Sequence, residues 1–117
     1  MGKGLVFEKS QEFAVREMRM YKYLTDEKGE FVISKQVLRS GTSIGANLAE
    51  AEYASSTADF LNKNSIALKE CNETKYWICL LKNTGIINKK AADSMLSDCE
   101  AILRMLASTV KTLKQAK

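Results

Sequence analysis

The chain contains no proline, no histidine and only six glycines, and its three cysteines form no close pair. Average proline usage near 5% would place about six prolines in a chain of this length. Their absence predicts long, unkinked helices joined by short turns. Without histidine, no Ser–His or Cys–His nucleophile pair, no imidazole general base and no histidine-containing metal set is available. Catalysis thus starts as the weaker expectation, and nothing among the Ser, Lys and Glu residues resembles an activated nucleophile or an acid–base pair.

Cys71, Cys79 and Cys99 are odd in number and contain no CxxC, which argues against a disulfide framework or a zinc site. Reduced thiols in a core are expected, hence a cytoplasmic protein. The start, Met1-Gly2-Lys3-Gly4-Leu5-Val6, lacks the apolar run of a signal peptide, and Val6 breaks the myristoylation pattern. The longest uncharged stretch, Ser40 to Ala49, is ten residues, whereas a membrane helix needs about 20 apolar ones. No membrane partner is expected.

What is present suits a single domain over residues 1–117, with 45% hydrophobic and 27% charged residues. The formal charge is +4, and it is localised. Residues 1–100 hold 14 basic and 14 acidic side chains, so the surplus comes from Arg104, Lys111, Lys114 and Lys117. Such a strip suits an anionic partner or a solvated helix end.

Four helical segments emerge from the periodicity. The first is expected to start at Ser10 as N-cap, with Ala14, Met18, Tyr21 and Leu24, or Phe13 and Met20 beside them, as its apolar face. Asp26-Glu27-Lys28-Gly29-Glu30 forms the turn. The second spans about Val32 to Tyr53, with an apolar ladder Ile33, Val37, Ile44, Leu48, Ala51. Gly41 and Gly45 within it imply the close approach of a neighbouring helix, since Gly in a helix interior costs about 1 kcal/mol against Ala. A phosphate loop is the weaker alternative, because the lysine and spacing are missing. Ser56 with Asp59 resembles a capping box for the third helix, which Gly85 stops; its ladder is Phe60, Asn64, Ala67, Cys71, Thr74, Ile78, Leu81. Asn88 caps the fourth, where Ala92, Leu96, Cys99, Leu103, Leu106, Val110 and Leu113 keep a 3.5-residue period. The fold class is therefore all-α, an antiparallel up-down-up-down four-helix bundle.

Antiparallel register in the second hairpin places Arg39 level with Glu70 and Gln36 level with Glu73. With Ser40, Ser43 and Asn47 nearby, an internal polar layer is expected, in which Arg39→Leu would strand a buried Glu70 and destabilise strongly. A carboxylate metal site from Glu50, Glu70 and Glu73 is the weaker alternative, as ferritin-like sites use Glu-x-x-His. No cofactor or metal is expected.

The run Gln36-Val37-Leu38-Arg39-Ser40-Gly41-Thr42-Ser43-Ile44-Gly45-Ala46-Asn47-Leu48-Ala49-Glu50-Ala51 closely resembles the signature helix of the 23S rRNA intervening-sequence proteins. Ile66-Ala67-Leu68-Lys69-Glu70-Cys71-Asn72-Glu73-Thr74-Lys75-Tyr76-Trp77 is similar to a later segment of that family, and Phe13-Ala14 leading to Tyr21-Lys22-Tyr23-Leu24 matches more loosely. The resemblance implies small bacterial four-helix bundles that assemble as homopentamers, some encoded within 23S rRNA gene insertions. It also implies a basic surface for nucleic acid and no established catalytic residues. A related branch serves as the accessory subunit of reverse transcriptases in diversity-generating retroelements.

Two functions follow as expectations. One is an oligomer binding RNA, or DNA, through Lys9, Arg16, Arg19 and Lys22 of the first helix and Arg104, Lys111 and Lys114 of the fourth. Neighbouring placement would let these two strips merge, and five subunits would concentrate the field to about +20. Tyr23 is a candidate for base stacking, with helix packing as its alternative. The other is a protein-interaction adapter, for a polymerase-type partner, using Trp77, Tyr76 and Ile66 as an interface.

Overall fold

The computed structural model describes residues 4–116. Met1 to Lys3 and Lys117, on which the leader reading and part of the terminal charge fall, lie outside them. The elements are α1 (Leu5–Lys28), α2 (Ile33–Ala51), α3 (Thr57–Asn83) and α4 (Lys89–Gln115). They form an up-down-up-down bundle with principal extents of 46 × 20 × 20 Å. A 27-residue helix is about 40 Å long, so α3 and α4 run nearly its full length.

Helix boundaries follow local chemistry. Ser56 Oγ accepts from the Asp59 backbone N–H at 3.0 Å, and Asp59 Oδ2 accepts from the Ser55 N–H at 3.1 Å. Asn88 Oδ1 accepts from the Ala91 N–H at 2.8 Å. The α1 and α3 ends turn through Gly29 and Gly85, at φ of 61° and 76°. At the start of α2, the Glu30 carboxylate accepts from the backbone N–H groups of Val32, Ile33 and Ser34 at 3.1, 2.9 and 2.7 Å. Partial burial would raise the Glu30 pKa, but those N–H groups outweigh it and hold the carboxyl below its ordinary value.

Two expectations need correction. Helix α1 begins at Leu5, not at Ser10. Ser10 is buried within it and donates to the Phe7 carbonyl at 2.7 Å. The inward face of α1 is Phe7, Ser10, Phe13, Glu17 and Leu24, whereas Met18 is 59% exposed. On α4 the buried positions are Ala92, Met95, Cys99, Ile102, Leu106 and Val110. Leu96 and Leu103 pack against the core only partly buried. Five steps from 92 to 110 average 3.6 residues, the period of a straight helix; a strict 3.5 repeat drifts about 20° per heptad.

Helix α2 packs most extensively on α3, while α1 and α4 touch least. The α1–α2 contact is close because two glycines of α2 admit polar side chains of α1. A Cβ on Gly41 would stand 2.7 Å from Glu17 Cγ, and one on Gly45 would stand 3.2 Å from Ser10 Oγ.

Candidate nucleic-acid interface

The seven cations singled out in the sequence all lie on α1 and α4. Arg16 is anchored: it donates to Asp98 Oδ2 at 2.5 Å and to Ser94 Oγ at 3.0 Å. Lys22 pairs with Asp26 at 3.3 Å, one turn along α1. Lys9, Arg19, Arg104, Lys111 and Lys114 are exposed, and none has a salt-bridge partner among the described residues.

Register separates these cations into two groups. Arg16 lies level with Ser94 and Asp98, whereas Leu5 and Val6 share a groove with Arg104, Met105 and Ser108. Lys114 is 16 residues beyond Asp98, so it stands about 24 Å along the axis from Arg16. Arg19 and Lys22 therefore sit towards the start of α4, and Lys111 and Lys114 at its end. Because the helices are antiparallel, the two strips meet only near Lys9 and Arg104 and otherwise run in opposite directions. They form an interrupted line, with Lys9 and Arg104 between the groups.

The sparse α1–α4 contact leaves a seam. One part of it, about 460 Å³, is lined by Arg16, Arg19, Met20, Tyr23, Ile87, Asn88, Ala91 and Met95. Ile87 and Met95 are 5% exposed and form a floor; Tyr23, 44% exposed, forms a wall. Beside Lys9 and Asp98 the seam narrows to about 60 Å³.

The expected polar layer exists, but at the rim of the α2–α3 contact rather than inside it. Arg39 donates to Glu70 Oε2 at 3.1 Å, to Gln36 Oε1 at 3.2 and 3.3 Å and to Glu73. The Arg39 side chain is 50% exposed, against 18% for Glu70 and 34% for Glu73. Arginine's length lets the guanidinium reach solvent while its stem packs. Trp77 Nε1 donates to Glu73 Oε2 at 2.9 Å. Asn47 donates to the Ser43 carbonyl at 2.9 Å, within α2, so neither residue joins the Arg39 network by that bond. Glu50 pairs with Lys63 at 2.8 Å. No group of three or more His, Cys, Asp or Glu among the described residues is placed to hold a metal ion.

Of the residues expected in that layer only Ser40 is buried; the other buried polar residues are Ser10, Glu17, Ser34, Asn64 and Thr74. Ser40 and Thr74 share a hydrogen bond at 2.8 Å between α2 and α3. The Cys71 and Cys99 sulfurs lie 3.8 Å apart, and each thiol is 3.4 Å from the other residue's carbonyl. The hydrogen bond to Cys71 and burial push the Cys99 thiol up, which leaves it protonated and unreactive.

Glu17 is the anomaly. It is fully buried, and neither carboxyl oxygen has a hydrogen-bond partner among the described residues. Burial, with a smaller contribution from Cys99 and opposed by Arg16, pushes its pKa up to about 9. Glu17 is therefore neutral at pH 7, and 18 cations against 13 anions give +5 rather than the formal +4.

Fold and surface together define a class: an antiparallel four-helix bundle with exposed cations along α1 and α4 and no metal-holding cluster among the described residues. Residues 3–108 match the 23S rRNA-intervening sequence protein family, and the chain belongs to that family. A crystal structure of a protein of unknown function from the S23 ribosomal protein family, from Bacteroides thetaiotaomicron VPI-5482, is 53% identical. The match covers 95% of this chain and 99% of that one, with a TM-score of 0.91. No curated protein matches the chain. No helix of the described residues is long and apolar enough to cross a membrane.

Proposed function

We propose that this protein is a non-enzymatic homo-oligomer that binds nucleic acid, with RNA favoured, through the exposed cations of α1 and α4. One observation carries this reading: five of the seven candidate cations, Lys9, Arg19, Arg104, Lys111 and Lys114, have no salt-bridge partner among the described residues. On α2 and α3 the balance is reversed: four of the six cations, Arg39, Lys63, Lys75 and Lys82, pair with carboxylates, and Lys35 and Lys69 do not among the described residues. Unpaired surface cations release phosphate-bound counterions on contact and give salt-sensitive, sequence-tolerant binding. The family's printed association with 23S rRNA makes RNA the first ligand to test, and family resemblance supplies the expectation of a pentamer. The cytoplasm is the compartment that fits both.

Anisotropy titration of a fluorescent single-stranded RNA, alongside a duplex DNA, tests the reading when combined with light scattering. Affinity should fall steeply between ~50 and ~200 mM salt, with a slope of about −0.7 per phosphate contact on single strands. Arg19→Glu with Lys111→Glu should weaken it at least tenfold. Equal affinity at both salt concentrations would overturn the proposal and favour the adapter reading, for which Tyr76, 59% exposed and edge-on to Trp77 at 5.0 Å, is the available surface.

A further inference from the structure

We propose that the part of the α1–α4 seam between Tyr23 and Met95 is a pocket for one unstacked nucleobase with its phosphate, so that RNA is held by a ring as well as by charge. This inference rests on the nucleic-acid reading and adds a located subsite to it.

The lining is of two kinds. Met20, Ile87 and Met95 supply an apolar floor, and the Tyr23 ring stands half exposed above it. Arg16 and Arg19 supply cationic walls, and no acidic residue lines this part of the seam. Arg16 is fixed in place by Asp98 and Ser94, while Arg19 has no salt-bridge partner among the described residues and is available to a phosphate. Asp26 and Glu27 lie with Lys22 in a separate hollow that shares only Arg19 and Tyr23 with the pocket. They repel a phosphate from that side and direct it to the Arg19 face.

The occupant is constrained by shape. A helix from a second copy would need a continuous apolar trough, but the seam narrows and becomes charged at Lys9, Glu12 and Asp98. A volume of about 460 Å³ lies within the ~300–1,000 Å³ range of small-ligand sites. A flat aromatic ring carrying an anion matches both the floor and the walls. Loss of an aromatic stacking platform typically lowers single-strand affinity by about tenfold or more.

The test uses the full-length chain and a 12-nucleotide single-stranded RNA, followed by anisotropy across a salt series. Tyr23→Leu should lower affinity about tenfold with its salt slope unchanged, and Tyr23→Phe should restore it. Arg19→Gln should lower affinity and reduce the slope by about one phosphate contact. Adenosine monophosphate should shift the methyl resonances of Met20 and Met95 in NMR spectra, and ribose 5-phosphate should not. If Tyr23→Leu binds RNA as wild type does with the same slope and the methyls ignore the nucleotide, the pocket is overturned while the electrostatic reading stands. If no RNA binds at any salt concentration and the methyls do not move, both fall.

Discussion

Helix α2 meets glutamates on both flanks, at positions two residues apart, and handles them in opposite ways. On the α3 side, Arg39 gathers Glu70 and Glu73 at a half-exposed rim where every charge has a partner. On the α1 side, Gly41 makes room for Glu17, whose carboxyl is buried with no partner among the described residues and holds its proton to about pH 9. The same side chain is an anion in one setting and a neutral, space-filling acid in the other. What differs is access to water and to a cation, not the sequence neighbours: Glu17 even follows an arginine, but Arg16 points to Asp98 on α4.

The contrast breaks most sharply at Glu17. In the unfolded chain its carboxyl titrates near 4.5; in the fold it does so at about 9. The folded state binds the extra proton between those values, so this group's contribution is fully favourable below pH 4.5 and is lost as pH rises towards 9. At about 1.4 kcal/mol per pH unit, roughly 3 kcal/mol has gone by pH 7. Glu17→Gln, which keeps the shape without the titration, should be more stable by about that amount at pH 7 and no different near pH 4.5. Urea unfolding across that range decides it: a variant whose stability follows the wild-type pH profile would show that Glu17 is not the buried acid.

Second in size is the notch itself. Gly41→Ala places a methyl group 2.7 Å from Glu17 Cγ, and the buried side chain has little room to retreat. A loss of about 2 kcal/mol is expected from overpacking. In a Glu17→Ala background the same change should be neutral or gain up to about 1 kcal/mol, since Ala is the better helix former. Thermal melts of the four proteins form a double-mutant cycle. Additive effects would mean that the glycine serves something other than Glu17.

The architecture was legible because its signals are local. Ser56, Gly85 and Asn88 act through bonds to residues within a few positions, and the Gly41/Gly45 pair announced a close neighbour without saying which helix supplies it. Register also put Arg39 beside Glu70, since a short loop fixes a hairpin. Glu17 was missed because residue type spoke louder than position. Yet 7, 10, 13, 17, 20 and 24 keep an unbroken three-to-four spacing through Ser10 and Glu17, and that was the available signal. The α1–α4 relation was the hardest to read. No loop joins those helices, so sequence showed that they are neighbours but not how far their charged groups are offset.

The rim of α2 should give the smallest effect, and it sharpens the comparison from the other side. Were the Arg39–Glu70 pair internal, removing the arginine would cost several kcal/mol by stranding a buried charge. With half of the Arg39 side chain in solvent, the pair belongs with exposed ion pairs, worth about 0.2–1 kcal/mol. Arg39→Leu should thus lower stability by no more than about 1 kcal/mol, because water can reach the rim and rehydrate the glutamates. Added salt should narrow the gap between variant and wild type, as screening weakens a contact that the wild type alone retains. A double-mutant cycle with Glu70→Gln measures the coupling directly. A coupling of 3 kcal/mol or more, insensitive to salt, would place Arg39 in the same dry environment as Glu17 and erase the difference between the two flanks.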